Sequence, residues 1–238
     1  MKFRIFFAIT VATATGIVSA AEPDYKALNA LLAKHVRAGN KQGITTHLVD
    51  YRSLGKDPLY NEALNVMQNF DVTLLANGRE KKAFYINAYN VAAIKKVLEK
   101  YPTGSIRATG DGVWKENAIT LAGKPWSLDA IENQILRKTG DARIHFAIVC
   151  ASLSCPDLRR EAYTALRLEK QLESQTRAFL VNPTKGVRVE QGRIYHSAIF
   201  NWFAADFKDV RAFQRRYLKN LPQTTESTEI SYNWQLNE

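Results

Sequence analysis

His145, Cys150 and Cys155 follow one another at five-residue intervals in Arg143-Ile144-His145-Phe146-Ala147-Ile148-Val149-Cys150-Ala151-Ser152-Leu153-Ser154-Cys155-Pro156, and these are the only two cysteines of the chain. Three chemistries use such a set. In the first, Cys150 is a nucleophile, which needs a thiolate, a base or positive field beside it, and donors for a developing oxyanion. The small-residue loop after Cys150 would let backbone amides approach a ligand, so the Ala151–Ser154 amides are the candidate oxyanion donors. In the second, Cys150 and Cys155 close a short loop as a disulfide. In the third, His145, Cys150, Cys155 and His196 ligate a metal, although the tight C-x2-C spacing is absent.

For the nucleophilic reading His145 is the nearest base. Residues five apart on a strand point to opposite faces, so a direct pair requires Cys150 to lie beyond a regular strand. His196 is the other candidate base. Glu132 sits on the inward side of a helical stretch beside Ile131 and Ile135. A carboxylate there needs a partner: either Arg143, or the catalytic histidine that it would orient. Asn87 and Asn90 lie three apart on one apolar helical face, where their amides either fix a ligand or cap a neighbouring backbone.

The elements that must position these groups are legible from periodicity. Apolar residues at three- and four-residue spacings predict helices over 23–37, 58–70, 79–101, 128–138, 164–181, 198–207 and 209–219. Ser127 is a ready N-cap for the fourth, and Pro102 stops the third. The apolar run 144–150 reads as a strand buried on both faces, and shorter strands fall at 47–51 and 229–232. Gly123 and Gln191-Gly192 mark hairpin turns. Helices outnumber strands and no regular βαβ alternation appears. The expected class is therefore α+β, a helix-rich single domain packed on a small, mostly antiparallel sheet with hairpins.

Composition bounds the rest. Of 238 residues 46% are hydrophobic and 24% charged, which excludes disordered and low-complexity architectures, and two cysteines exclude a disulfide-built scaffold. Lys2 and Arg4, an apolar run from Ile5 to about Val18, and Val18-Ser19-Ala20 have the form of an export leader cleaved after Ala20. Residues 21–238 would then form one exported domain, periplasmic or secreted. No cysteine follows the cleavage site to carry lipid, and no later segment is apolar enough to span a bilayer. Removal of the leader lowers the net charge from +10 to +8 by taking Lys2 and Arg4. The remaining cations are scattered pairs such as Lys81-Lys82 and Arg215-Arg216. They suit a solvated surface with weak, salt-sensitive attraction to anionic surfaces, and not a nucleic-acid interface. No cofactor motif is present, and the oligomeric state is not written in the sequence.

At these same residues the chain resembles the domain-of-unknown-function family 547 of bacteria and plants. The likeness runs from about residue 49 to residue 207, with a tail at Tyr232-Asn233-Trp234. It is carried by Asn87-Ala88-Tyr89-Asn90, Ser127-Leu128 with Ile131-Glu132, Arg143-Ile144-His145-Phe146-Ala147, Cys150-Ala151-Ser152, Ser154-Cys155-Pro156, and Ile199-Phe200-Asn201-Trp202 leading to Asp206-Phe207. The resemblance implies that Asn87, Asn90, Glu132, Arg143, His145, Cys150, Ser152 and Cys155 belong to a shared pattern. It is similar in kind to the constellation of papain-like thiol hydrolases. The reading that follows is a thiol hydrolase or acyl transferase acting on an amide or peptide-like bond, with no metal. Cys150 would be the nucleophile, His145 the base and Glu132 the orienting carboxylate, while Asn87, Asn90, Arg143, Ser152 and Cys155 would contact a small-molecule or peptide-like substrate. The competing reading is a non-catalytic binding domain whose cysteines are structural.

Overall fold

The structure, a computed structural model, describes residues 22–223 and 227–238; the expected leader lies outside the described residues. Helix α1 (Lys26–His35) gives way at Val36 to a hairpin of β1 (Val36–Lys41) and β2 (Ile44–Val49). Its turn, Gln42-Gly43, has positive φ at both residues, as the right-handed twist of a two-residue hairpin demands. The first helix is thus shorter than its periodicity suggests. Val36 and Val49, partners across the hairpin, both belong to the core.

A single turn α2 (Tyr51–Leu54) leads to α3 (Pro58–Asn69), which has Pro58 at its first position and the Asp57 side chain as cap. The central element is α4 (Gly78–Leu98), opened by a capping box between Asn77 and Glu80 and buried along most of its length. A second hairpin, β3 (Asn117–Leu121) with β4 (Lys124–Ser127), hands over to α5 (Leu128–Ile131), capped by the Ser127 hydroxyl. Further on come α6 (Leu168–Leu180), the hairpin β5 (Val187–Glu190) with β6 (Arg193–Ser197), the turns α7 (Ile199–Trp202) and α8 (Ala204–Phe207), α9 (Val210–Tyr217) and β7 (Thr228–Ile230). β7 pairs parallel with β6, and the other strand pairs are antiparallel.

The class is α+β, as expected, with the strands in separate small sheets. The apolar core joins α1, α3, α4 and the segment 144–155, while an aromatic cluster of Phe146, Phe179, Phe200, Phe207 and Phe213 lies beneath α6 to α9. Gly186 sits where α6 returns into β5. A Cβ there would stand 1.8 Å from the Phe179 carbonyl oxygen, so no other residue fits without moving backbone. Among the described residues no helix is long and apolar enough to cross a membrane.

Three expected elements take another form. The 128–138 helix is α-helical only to Ile131; Glu132–Leu136 widens into a π-turn and Arg137–Thr139 tightens into a 3-10 turn. The 198–207 helix breaks at Phe203 into α7 and α8. Most consequential, 144–150 is not a central strand. Ala142–Phe146 is a 3-10 helix capped by Asp141, and an irregular buried loop follows it. An all-apolar run reports burial, and periodicity alone cannot tell a strand from another buried segment.

Candidate active site

A buried loop must satisfy its backbone polar groups without a sheet. Two side-chain amides from α4 do this work. Asn90 donates to Ala147 O (3.0 Å) and accepts from Val149 N–H (3.0 Å), and Asn87 treats Tyr163 in the same way at 2.8 and 2.9 Å. Both amides are consumed as struts, which corrects their assignment to substrate. Arg143 is likewise committed, to Asp141 and Glu169. Asn90→Ala leaves a buried N–H and a buried carbonyl unpaired; we expect a loss of about 3 kcal/mol. At this chain length that lowers the melting temperature by about 6–12 °C in a thermal scan.

From the far side the C-terminal segment stitches the same loop. Leu153 N–H donates to Gln235 O and Ser154 N–H to Asn233 O, while Asn237 N–H donates to Ala151 O. The amides of Leu153 and Ser154 are therefore spent and cannot serve as oxyanion donors. Ala151 adopts a left-handed conformation (φ 59°), costly for a residue with a Cβ, and buried contacts hold it there. Past this turn the Ser152 backbone amide bonds back to the Cys150 sulfur.

Cys150 Sγ lies 3.1 Å from the Ser152 hydroxyl and 3.2 Å from the Tyr232 hydroxyl, and its own backbone N–H donates to Cys155 Sγ at 2.8 Å. Both cysteines are free thiols. Burial works against ionisation of Cys150, but hydrogen bonds from Cys155, Ser152 and Tyr232 outweigh it and hold the thiol below its ordinary value. Burial and the neighbouring sulfur push Cys155 well up. One sulfur is thus disposed to be a thiolate and the other to be its donor.

Cys150 and Cys155 line a cavity of about 310 Å³ together with Glu132 and His145. The structure brings these four residues to one cavity, and their wiring differs from the one expected. The His145 ring is stacked on Phe203 with centroids 3.9 Å apart, and its Nε2 is 2.7 Å from Asp206 Oδ2. Arg137 also holds Asp206, through Nε at 2.6 Å and Nη2 at 2.9 Å, and keeps that carboxyl below its usual range. An ionised Asp206 fixes the proton on Nε2, so the other nitrogen, Nδ1, is a bare acceptor. Burial lowers the ring to about 4, which makes it neutral at pH 7. Nδ1 is buried with no hydrogen-bond partner, and Glu132 Oε1 faces it at 3.7 Å.

Glu132 starts the π-turn, a rearrangement often found at functional sites. Burial pushes its carboxyl up to about 7, and Tyr89 stands 3.4 Å from its other oxygen. Two acceptors facing each other are unfavourable, whereas a protonated Glu132 directed at Nδ1 is not. The orienting carboxylate for His145 is therefore Asp206, and Glu132 is the group that holds an exchangeable proton.

Aromatic side chains also line the cavity: Trp114, Trp202, Phe203, Tyr232 and Trp234. Trp202 stacks on Trp234 at 5.6 Å, and Tyr232 packs against both. His196 lies elsewhere, bonded to Asn201, Ser227 and Gln214. Among the described residues no group of three His, Cys, Asp or Glu side chains is placed to hold a metal.

Residues 74–180 match the model of a family described as protein of unknown function, DUF547. That stretch of the chain is a DUF547 domain. The match takes in Asn87, Asn90, Glu132, His145, Cys150 and Cys155, and the resemblance to the family stands over those residues. No curated protein and no solved structure matches the chain. Asp206, Tyr232 and Trp234 lie beyond the matched DUF547 residues, yet they orient the histidine, contact the sulfur and wall the cavity. The sequence did not assign them roles. Their signal was present in Trp202 to Asp206 and in Tyr232-Asn233-Trp234, motifs noticed for resemblance and not for chemistry.

Proposed function

We propose that this chain is an exported thiol-dependent hydrolase or acyl transferase that acts on an amide or peptide-like bond. The observation that supports it best is the Cys150 sulfur, surrounded by hydrogen-bond donors and opening into a cavity that also holds Glu132, whose carboxyl burial pushes up to about 7. Cys150 attacks the carbonyl as thiolate. The Tyr232 hydroxyl, already at the sulfur, donates to the oxyanion that forms beside it. Glu132 gives its proton to the leaving nitrogen, and the resulting carboxylate takes a proton from water when water or another acceptor cleaves the thioester. His145, held by Asp206 and Arg137, is a positioning residue whose unpartnered Nδ1 faces Glu132.

The aromatic and aliphatic wall, with Ile148 and Ile199 beside the tryptophans, fits an apolar acyl group. Reduced protein should release nitrophenol from p-nitrophenyl alkanoates with a burst equal to the Cys150 content. The kcat/KM should rise about threefold to fourfold per methylene over the short chains, the worth of burying one CH2. Cys150→Ser should show no burst and no labelling by an acyl-directed thiol probe, while Cys155→Ser keeps both. Absence of any burst in the folded wild type would sink the hydrolase reading and leave the binding-domain reading.

A further inference from the structure

Acyl transfer uses the Cys155 sulfur only as a hydrogen-bond donor to Cys150. Cys155 is buried, is free, and stands in hydrogen-bond contact with the Cys150 thiol as well as with the Cys150 backbone N–H. Its carbonyl is fixed by the buried ammonium of Lys185 at 2.8 Å, which also binds Thr46 and Asp157, so the residue is anchored close to its partner sulfur. A nucleophile needs a donor there, a part that a hydroxyl fills as well, and so does not need a second thiol. A thiol that is to be oxidised and recovered does.

We propose that Cys150 is a site of reversible oxidation by hydroperoxides and that Cys155 is the thiol that resolves it. The inference rests on Cys150 being the reactive thiolate of the proposed function. In the first step the Cys150 thiolate attacks one oxygen of the peroxide; the O–O bond breaks, sulfur gains oxygen as a sulfenic acid, and the second oxygen leaves as hydroxide or alkoxide. In the second, the Cys155 sulfur attacks Cys150, the S–O bond breaks, and water leaves with the Cys155 proton. The products are one intramolecular disulfide, one water from the second step and the hydroxide or alkoxide from the first, which takes a proton from solvent, with no net gain of oxygen on the protein.

The order of events follows from the local charges. While Cys150 is a thiolate, like-charge repulsion keeps the proton on Cys155, which donates it to its neighbour. Oxidation turns Cys150 into a neutral sulfenic acid and removes that repulsion. The Cys150 N–H and the Lys185 charge then favour ionisation of Cys155, so the resolving thiol is activated only after its partner has been oxidised. The disulfide caps the nucleophile and silences acyl transfer until a dithiol reductant exchanges it away.

The test uses the purified full chain, reduced and then treated with one equivalent of hydrogen peroxide, followed by intact mass and by alkylation with iodoacetamide. Wild type should lose both free thiols together, gain no oxygen and recover full alkylation on dithiothreitol. Cys155→Ser should gain one oxygen at Cys150 and, on a second equivalent of peroxide, continue to a sulfinic acid that dithiothreitol does not reverse. Cys150→Ser should keep its Cys155 thiol, with oxidation slowed about tenfold or more. Oxygen accumulating on wild-type Cys150 while Cys155 stays alkylatable would overturn the proposal, as would equal loss of Cys155 in Cys150→Ser. The nitrophenyl ester burst of the reduced protein is measured separately, so failure of either reading is recognised by itself.

Discussion

Glu132→Gln should lower kcat on an anilide or other amide by about 10²–10⁴ while Cys150 remains fully alkylatable, because the leaving nitrogen must be protonated and glutamine cannot supply a proton. On a p-nitrophenyl ester, whose leaving group departs unaided, the same variant should lose far less. A residue that merely props up the fold would depress both substrates alike, so the amide-to-ester ratio is the discriminating readout. The pH profiles carry a second signature. Wild-type amide turnover rises as Cys150 ionises and falls as Glu132 loses its proton near 7; the alkaline fall should vanish in Glu132→Gln.

The same carboxyl leaves its mark on stability. Glu132 binds its proton more tightly when folded, at about 7, than at the ordinary glutamate value of 4.5, so the native state holds more protons between those values. Its contribution is full below the unfolded pKa and is lost as pH rises through about 7, amounting to roughly 3 kcal/mol. The difference in melting temperature between wild type and Glu132→Gln should therefore change over that window and be flat above and below it. Unchanged amide turnover in the variant would remove Glu132 from the mechanism.

Deletion of residues 232–238 is the second large effect. This segment accepts from Leu153 and Ser154, donates to Ala151 and to Gly104, and through Asn237 also engages Val49, Tyr51 and His47. Buried groups left without partners cost about 1–3 kcal/mol each, and several are orphaned at once. We expect a loss of about 5 kcal/mol or more, on the scale of the whole stability of an ordinary domain. The milder Asn237→Ala, which removes the bonds to Tyr51 and His47 only, should cost about 2 kcal/mol and slow Cys150 alkylation. A truncated chain that melts with the full-length protein would contradict the role given to the tail.

Much of the frame is legible in the sequence because it is set by local patterns: the apolar stripe and cap of α4, the proline and aspartate that open α3, the Gln-Gly turn between β5 and β6. The cysteine loop was equally visible as two thiols five apart behind an apolar run. What that run would become was not. Asn90 satisfies its backbone at Ala147 and Val149, and the distant C-terminal tail holds Ala151, Leu153 and Ser154 just beyond it, so it needs no strand partner, and nothing local records that. The role of His145 was hidden for a related reason. Which of its nitrogens carries the proton is decided by Asp206 on α8, and only then does Glu132 emerge as the proton holder. Asn87 and Asn90 were correctly noticed as unusual on an apolar face, and the structure gives that oddity a backbone explanation.

The central claim is an activated Cys150 thiolate inside the cavity, and it is tested most directly by the pH dependence of iodoacetamide alkylation, resolved residue by residue by peptide mapping. Cys150 should alkylate first, with a midpoint below the ordinary thiol value of about 8.5, and Tyr232→Phe should move that midpoint upward. A Cys150 midpoint at or above 8.5, or Cys155 reacting ahead of it, would contradict the account.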